Sequence, residues 1–82
     1  MKILFVRSAE RELLRLNRTL GKRIIRQIGL LKNNPYSLNS QKLEGGNGYR
    51  VRVGNYRIIY TVNKLNKTVL IIKIGHRREI YR

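Results

Sequence analysis

The stretch Tyr49-Arg50-Val51-Arg52-Val53-Gly54-Asn55-Tyr56-Arg57-Ile58-Ile59-Tyr60 decides the fold. Aromatic and β-branched residues alternate with arginine on both sides of Gly54-Asn55, a two-residue turn signal, so the segment reads as a β-hairpin. Pairing across that turn sets Val53 opposite Tyr56, Arg52 opposite Arg57, Val51 opposite Ile58 and Arg50 opposite Ile59. Successive side chains on a strand point to opposite faces. Tyr49, Val51, Val53, Tyr56, Ile58 and Tyr60 therefore share one side, and Arg50, Arg52 and Arg57 share the other. The first side packs; the second is an arginine cluster. Like charges directly opposed on a sheet cost about 0.2–1 kcal/mol per pair. Guanidinium groups hold phosphate through paired parallel hydrogen bonds, so arginine retained on both strands points to an anion bound there. The alternative is a plainly solvated face in a chain whose exposed residues are mostly basic.

Downstream of the hairpin, Thr68 to Ile74 is apolar at almost every position and reads as a third, central strand of an antiparallel meander. Upstream, Tyr36 to Gly48 is polar and ends in Glu44-Gly45-Gly46-Asn47-Gly48, the composition of a mobile loop. It fits neither the dinucleotide-binding nor the P-loop fingerprint. Lys2 to Val6 reads as a short strand, with Ser8 as N-cap of a helix running to Asn17 whose stripe is Ala9, Leu13, Leu14 and Leu16. A second helix carries Leu20, Ile24, Ile25, Ile28 and Leu31 on one side and Arg18, Lys22, Arg23 and Arg26 on the other, and Asn33-Asn34-Pro35 stops it. The expected architecture is one α+β domain over residues 1–82, with an N-terminal strand, a helical hairpin and a three-stranded antiparallel meander, the helices packed on one face.

Composition narrows the functional classes. Nineteen Lys and Arg against four acidic residues leave a formal charge of +15. That is self-repulsive in a compact chain and calls for a polyanion. A membrane-surface helix would carry Trp or Phe on its apolar face, but Trp is absent and Phe5 is the single Phe. No segment approaches the roughly 18 apolar residues of a membrane span, and no signal-peptide stretch opens the chain, so a cytoplasmic location is expected. With no Cys and one His, a zinc site or other metal-dependent hydrolysis is not expected. The anticipated target is nucleic acid, RNA above all, with no metal or other cofactor.

Four pieces in order carry a family resemblance: the helical hairpin ending in Asn33-Asn34-Pro35, then Leu43-Glu44-Gly45, then the Tyr49–Tyr60 hairpin, then Gly75-His76-Arg77-Arg78-Glu79-Ile80-Tyr81. Together they make the chain resemble the RelE/ParE superfamily of bacterial and archaeal toxins over essentially its whole length, with a microbial-ribonuclease-like sheet. The RelE branch implies a metal-independent endoribonuclease that cuts mRNA in the ribosomal A site by attack of the 2′-hydroxyl on the adjacent phosphorus. The resemblance also implies a cognate antitoxin protein as partner. It assigns Arg57 to the scissile phosphate, Arg77 to a phosphate contact or proton donation, and Tyr81 to base stacking or proton transfer. Arg50 and Arg52 fall on the two basic positions of the preceding strand, and Lys73 and Arg78 complete the phosphate-binding set.

The best-known members have Lys where this chain has Arg50 and Arg52. Arginine does not release its proton in a protein, so the resemblance leaves the general base unassigned. His76 is a candidate for proton transfer because imidazole exchanges protons near neutral pH. Alternation along an extended segment nevertheless puts Lys73, Gly75 and Arg77 on one face and His76 on the other. Two competing functions remain. The ParE branch shares the fold and inhibits DNA gyrase, without generally keeping the full basic and tyrosine set; a non-catalytic basic RNA-binding protein would need only the charge.

Overall fold

The computed structural model describes residues 1–36, 40–46 and 48–76. In chain order it forms β1 (Lys2–Phe5), α1 (Arg7–Arg15), α2 (Arg18–Asn33), β2 (Ser40–Lys42), β3 (Tyr49–Val53), β4 (Tyr56–Asn63) and β5 (Thr68–His76). The strands make one sheet in the order β1-β5-β4-β3-β2. β1 runs parallel to β5, and the other neighbours are antiparallel. The expected α+β architecture is present, with three differences.

The first is an added edge strand, β2, inside the segment read from sequence as a mobile loop. Ser40, Gln41 and Lys42 pair with Val51, Arg50 and Tyr49. Three polar residues carry no period-two apolar signal, because an edge strand with a solvated face buries almost nothing. The second is the start of α1. Val6, not Ser8, is its N-cap, and no side chain caps it. The Val6 N–H still bonds the Ile71 carbonyl at 3.0 Å while the Val6 carbonyl accepts from Glu10 at 3.1 Å. Strand thus passes into helix at a single residue and leaves Ser8 within the first turn. The third is position: β5 is an interior strand, as its apolar run implied, but it is flanked by β1 as well as β4, and β4 is the middle of the five.

α2 stops at Asn33, where the sequence put its end, whereas Asn17, read as the last residue of the first helix, is the N-cap of the second and α1 ends at Arg15. The Asn17 side chain accepts from the Leu20 N–H at 2.9 Å, and the Asn34 N–H closes the helix on the Leu30 carbonyl. Both helices cover one face of the sheet. Ala9, Ile24, Ile28 and Leu31 interlock there with Val51, Val53, Ile58, Tyr60, Val69, Ile71 and Ile74. The arginines and lysine on the outer side of α2, Arg18, Lys22, Arg23 and Arg26, are exposed.

Tyr60 ties the three layers of sequence together. Its side chain is completely buried. The phenol donates to the Pro35 carbonyl at 2.5 Å and lies within hydrogen-bond distance, 2.6 Å, of Ser40 Oγ. One hydroxyl therefore fastens the end of α2 and the start of β2 to the middle strand. Burial raises the Tyr60 pKa above 10.0, opposed by the Ser40 hydrogen bond and helped by the neighbouring Tyr49 and Tyr36. Gly48 permits the same closure from the other side. A Cβ there would sit 3.0 Å from Leu43 Cδ1 and 3.3 Å from the Tyr60 carbonyl oxygen, and a paired strand carbonyl cannot give way.

Three outcomes follow for stability. Tyr60→Phe leaves the buried Pro35 carbonyl unsatisfied and should cost about 1–3 kcal/mol in chemical denaturation. Because the folded pKa is raised, the wild-type contribution of Tyr60 is intact below pH 10.0 and is lost as pH climbs through the folded value. The alkaline decline in denaturation midpoint should accordingly be steeper in wild type than in the Phe variant. Gly48→Ala should lower stability by about 1–3 kcal/mol through overpacking.

A candidate anion-binding face

The hairpin register is the one expected: Val53↔Tyr56, Arg52↔Arg57, Val51↔Ile58 and Arg50↔Ile59. The valines, Ile58 and Tyr60 turn to the helices, and Arg50, Arg52 and Arg57 turn to the opposite face, which no described helix covers. β5 extends that face on the far side of β4, where Gly75 pairs with Arg57 and Lys73 pairs with Ile59.

Lys73 reaches this face because of a bulge. Partners on β4 move from Ile59↔Lys73 to Tyr60↔Ile71, leaving Ile72 as an extra residue. Strict alternation from Val69 and Ile71 would have driven Lys73 into the core. The bulge reverses the parity, so Ile71 and Ile74 are both buried and Lys73 lies exposed beside the arginines. Beyond Phe5, β1 no longer accompanies β5, and a cleft opens between Ser8, Ala9 and Glu12 of α1 and Ile72–Gly75 of β5.

Arg57 occupies the centre. It is 6% exposed, the one buried charged side chain among the described residues. Its Nε has no hydrogen-bond partner among them. On its β3 side is another cation, Arg52, and on its β5 side a glycine that brings no side chain. The ion pair found among the described residues joins Arg15 and Glu12 at 3.5 Å within α1 and does not involve Arg57. A buried, unpaired cation is costly unless something anionic joins it. Sequence reading anticipated the arginine cluster but not this burial.

Arg50 is held differently. Its Nε and Nη2 donate to Gln41 Oε1 at 3.3 and 2.8 Å, across the β2–β3 pair in which the two residues are directly opposed. Gln41 was not singled out from sequence; it lies in the supposed loop, where no periodic pattern marks it. His76 pairs with Tyr56, and the two rings meet edge to face with centroids 5.6 Å apart. That puts it on the helix side of the sheet, away from Arg57, as alternation implied. Arg77, Arg78 and Tyr81 lie outside the described residues. Among the described residues no cluster of His, Asp or Glu is arranged to hold a metal ion.

The fold is that of a known class of protein. Residues 3–81 match the family described as the ParE toxin of type II toxin-antitoxin systems. Toxin RelE3 of Methanocaldococcus jannaschii is 36% identical over 99% of this chain and 96% of its own length. The toxin–antitoxin complex RelB–RelE from Methanococcus jannaschii contains a chain 33% identical to this one, with a TM-score of 0.77 over 95% of this chain and 94% of that one. The isolated Escherichia coli RelE toxin, at 24% identity, shares the fold with a TM-score of 0.83 over 98% of this chain and 89% of that one. The chain belongs to the RelE/ParE superfamily of type II toxin-antitoxin toxins, in its RelE-like branch.

Replacing Arg57 by Met, which fills similar volume without a charge, should raise the melting temperature of the free protein. A gain of about 1 kcal/mol corresponds to roughly 4–8 °C in a domain of this size. The same substitution should weaken binding to single-stranded RNA at least tenfold, measured by fluorescence anisotropy. A melting temperature that falls would mean that Arg57 already has its counter-charge in the free protein.

Proposed function

We propose that this toxin is a metal-independent endoribonuclease that cuts mRNA, working at the ribosomal A site, and that its open β3–β4–β5 face holds the RNA backbone. The observation that carries the reading is Arg57: buried, flanked by Arg52, and with Nε unpartnered among the described residues. A surface kept only for solubility would not bury a cation at its centre.

The chemistry needs no ion beyond the protein's own cations. The 2′-hydroxyl gives its proton to solvent water as its oxygen bonds to the adjacent phosphorus, the bond from phosphorus to the 5′-oxygen breaks and that oxygen takes up a proton, and the products are a 2′,3′-cyclic phosphate and a 5′-hydroxyl. Negative charge grows on the non-bridging oxygens along this path, and donors fixed in place beforehand stabilise it. Arg57 serves that role because a guanidinium offers two parallel donors to a phosphate and burial in a low-dielectric setting strengthens each bond. Arg50, Arg52 and Lys73 line the same face and hold the flanking phosphates. Arg77 and Arg78 extend this set along the chain beyond β5, with Arg77 a further phosphate contact and Tyr81 supplying the proton to the departing 5′-oxygen. His76 is given no part, since its ring packs on Tyr56 on the opposite face.

A toxin so charged requires a neutralising partner inside its host, and the complexes of related toxins with RelB support a cognate antitoxin for this chain. Acidic residues of that partner would compete with RNA for the same arginines.

Induction of the chain in cells, followed by pulses of labelled methionine and thymidine, tests the reading. Protein synthesis should fall first, and an Arg57→Ala or Arg77→Ala variant should be harmless. Early loss of DNA synthesis would instead point to DNA gyrase. In vitro, cleavage should persist in excess chelator, leave a 5′-hydroxyl, and cease when the nucleotide 5′ of the cut lacks its 2′-hydroxyl. Binding without cutting under those conditions would reduce the protein to an RNA-binding module.

A further inference from the structure

We infer that Gln41 is a positioning residue for the RNA site, acting by fixing the guanidinium plane of Arg50. This rests on the proposed RNA-binding role of the open face and adds to it a residue from the edge strand.

Arg50 and Arg52 are two residues apart on β3 and point to the same side, about 6.6–6.8 Å apart along the strand. Their mutual repulsion, together with that of Arg57, favours splayed and mobile side chains. A long side chain of this kind surrenders up to about 2 kcal/mol of rotamer entropy when it is finally ordered on a ligand. Gln41 removes part of that cost before RNA arrives. Two N–H groups on one edge of the guanidinium, Nε and Nη2, converge on a single oxygen, Gln41 Oε1. One such bond leaves a hinge; two fix both the rotation and the tilt of the plane.

The amide orientation is itself determined by chemistry. Guanidinium has donors only, so the oxygen of Gln41 must face it and the NH2 must face away. The neutral amide matters as well. A carboxylate at this position would make the same contact, but it would neutralise Arg50 and repel phosphate. Glutamine orients the cation without consuming its charge. β2 gains a purpose by this account: its three residues bury little, yet their pairing sets Gln41 directly opposite Arg50.

The test is a double-mutant cycle on the full chain, using a fluorescein-labelled 2′-O-methyl oligoribonucleotide, which binds but cannot be cut. Thermal unfolding of each variant identifies any that fail to fold. Gln41→Met, similar in length but without an acceptor, should weaken binding about fivefold with an unchanged melting temperature. Arg50→Ala should weaken it more. The double variant should bind no worse than Arg50→Ala alone, because Gln41 then has nothing to orient. Gln41→Asn, which keeps the amide on a shorter stem, should recover part of the loss, whereas Gln41→Glu should bind worse than Gln41→Met. A Gln41→Met variant that binds as wild type while Arg50→Ala binds weakly would overturn the inference and leave the RNA-binding face intact. So would a Gln41→Met effect that persists in full without Arg50. An Arg50→Ala variant with wild-type affinity would instead remove Arg50 from the proposed face.

Discussion

The two-residue periodicity of β3 and β4, locked by the Gly54-Asn55 turn, is the constraint on which everything else in the molecule depends. A one-residue slip in that register would carry Arg50, Arg52 and Arg57 into the core and expose Val51, Val53 and Ile58 to water. The apolar side gives both helices a surface to cover, and Tyr60 at its end fastens α2 and β2 to the sheet through one hydroxyl. The basic side is left open because no element crosses it among the described residues. Fold and candidate site are thus the two faces of the same hairpin. A substitution that shifts the register would lose both together.

The energetics of the two faces run in opposite directions. The covered face follows ordinary burial: each fully enclosed Val, Ile or Leu contributes about 1.5–3 kcal/mol relative to exposure. The open face spends some of that stability. Arg52 opposite Arg57 is unfavourable, and Arg57 carries a charge into a site where its Nε has no partner among the described residues. Such a conflict between local chemistry and stability is expected at a functional site rather than on an indifferent surface. On the proposed reading, RNA backbone would supply the counter-charge, and antitoxin carboxylates would do so by the same physics. This is a simple basis for mutual exclusion of target and inhibitor.

Much of this was legible in the sequence because the hairpin is locally encoded. Alternation plus a two-residue turn specifies each β3–β4 pair, and Asn33-Asn34-Pro35 marks the end of α2, whereas the capping of α2 by Asn17 was not read from the sequence. What escaped notice depends on tertiary context. β2 is a polar edge strand without periodicity, so Gln41 was invisible as the partner of Arg50. Ser8 is a good N-cap by residue type, yet β1 runs straight into α1 at Val6 and pre-empts it. The bulge at Ile72 is not encoded by a glycine or proline; it is imposed by the need to bury both Ile71 and Ile74 while keeping Lys73 out. The burial of Arg57 escaped notice because alternation gives the face of a side chain and not its exposure.

The account stands or falls on whether the Arg57 guanidinium meets the RNA backbone. Arginine side-chain 15Nε–1Hε spectra, recorded while a 2′-O-methyl oligoribonucleotide is titrated into the intact protein, observe that group directly. A downfield shift and slowed hydrogen exchange of the Arg57 Nε–H at saturation, absent in an Arg57→Lys control that identifies the resonance, is the predicted result. A resonance that stays in place while those of Arg18, Arg23 and Arg26 on α2 shift would place the RNA on the helices and contradict the claim.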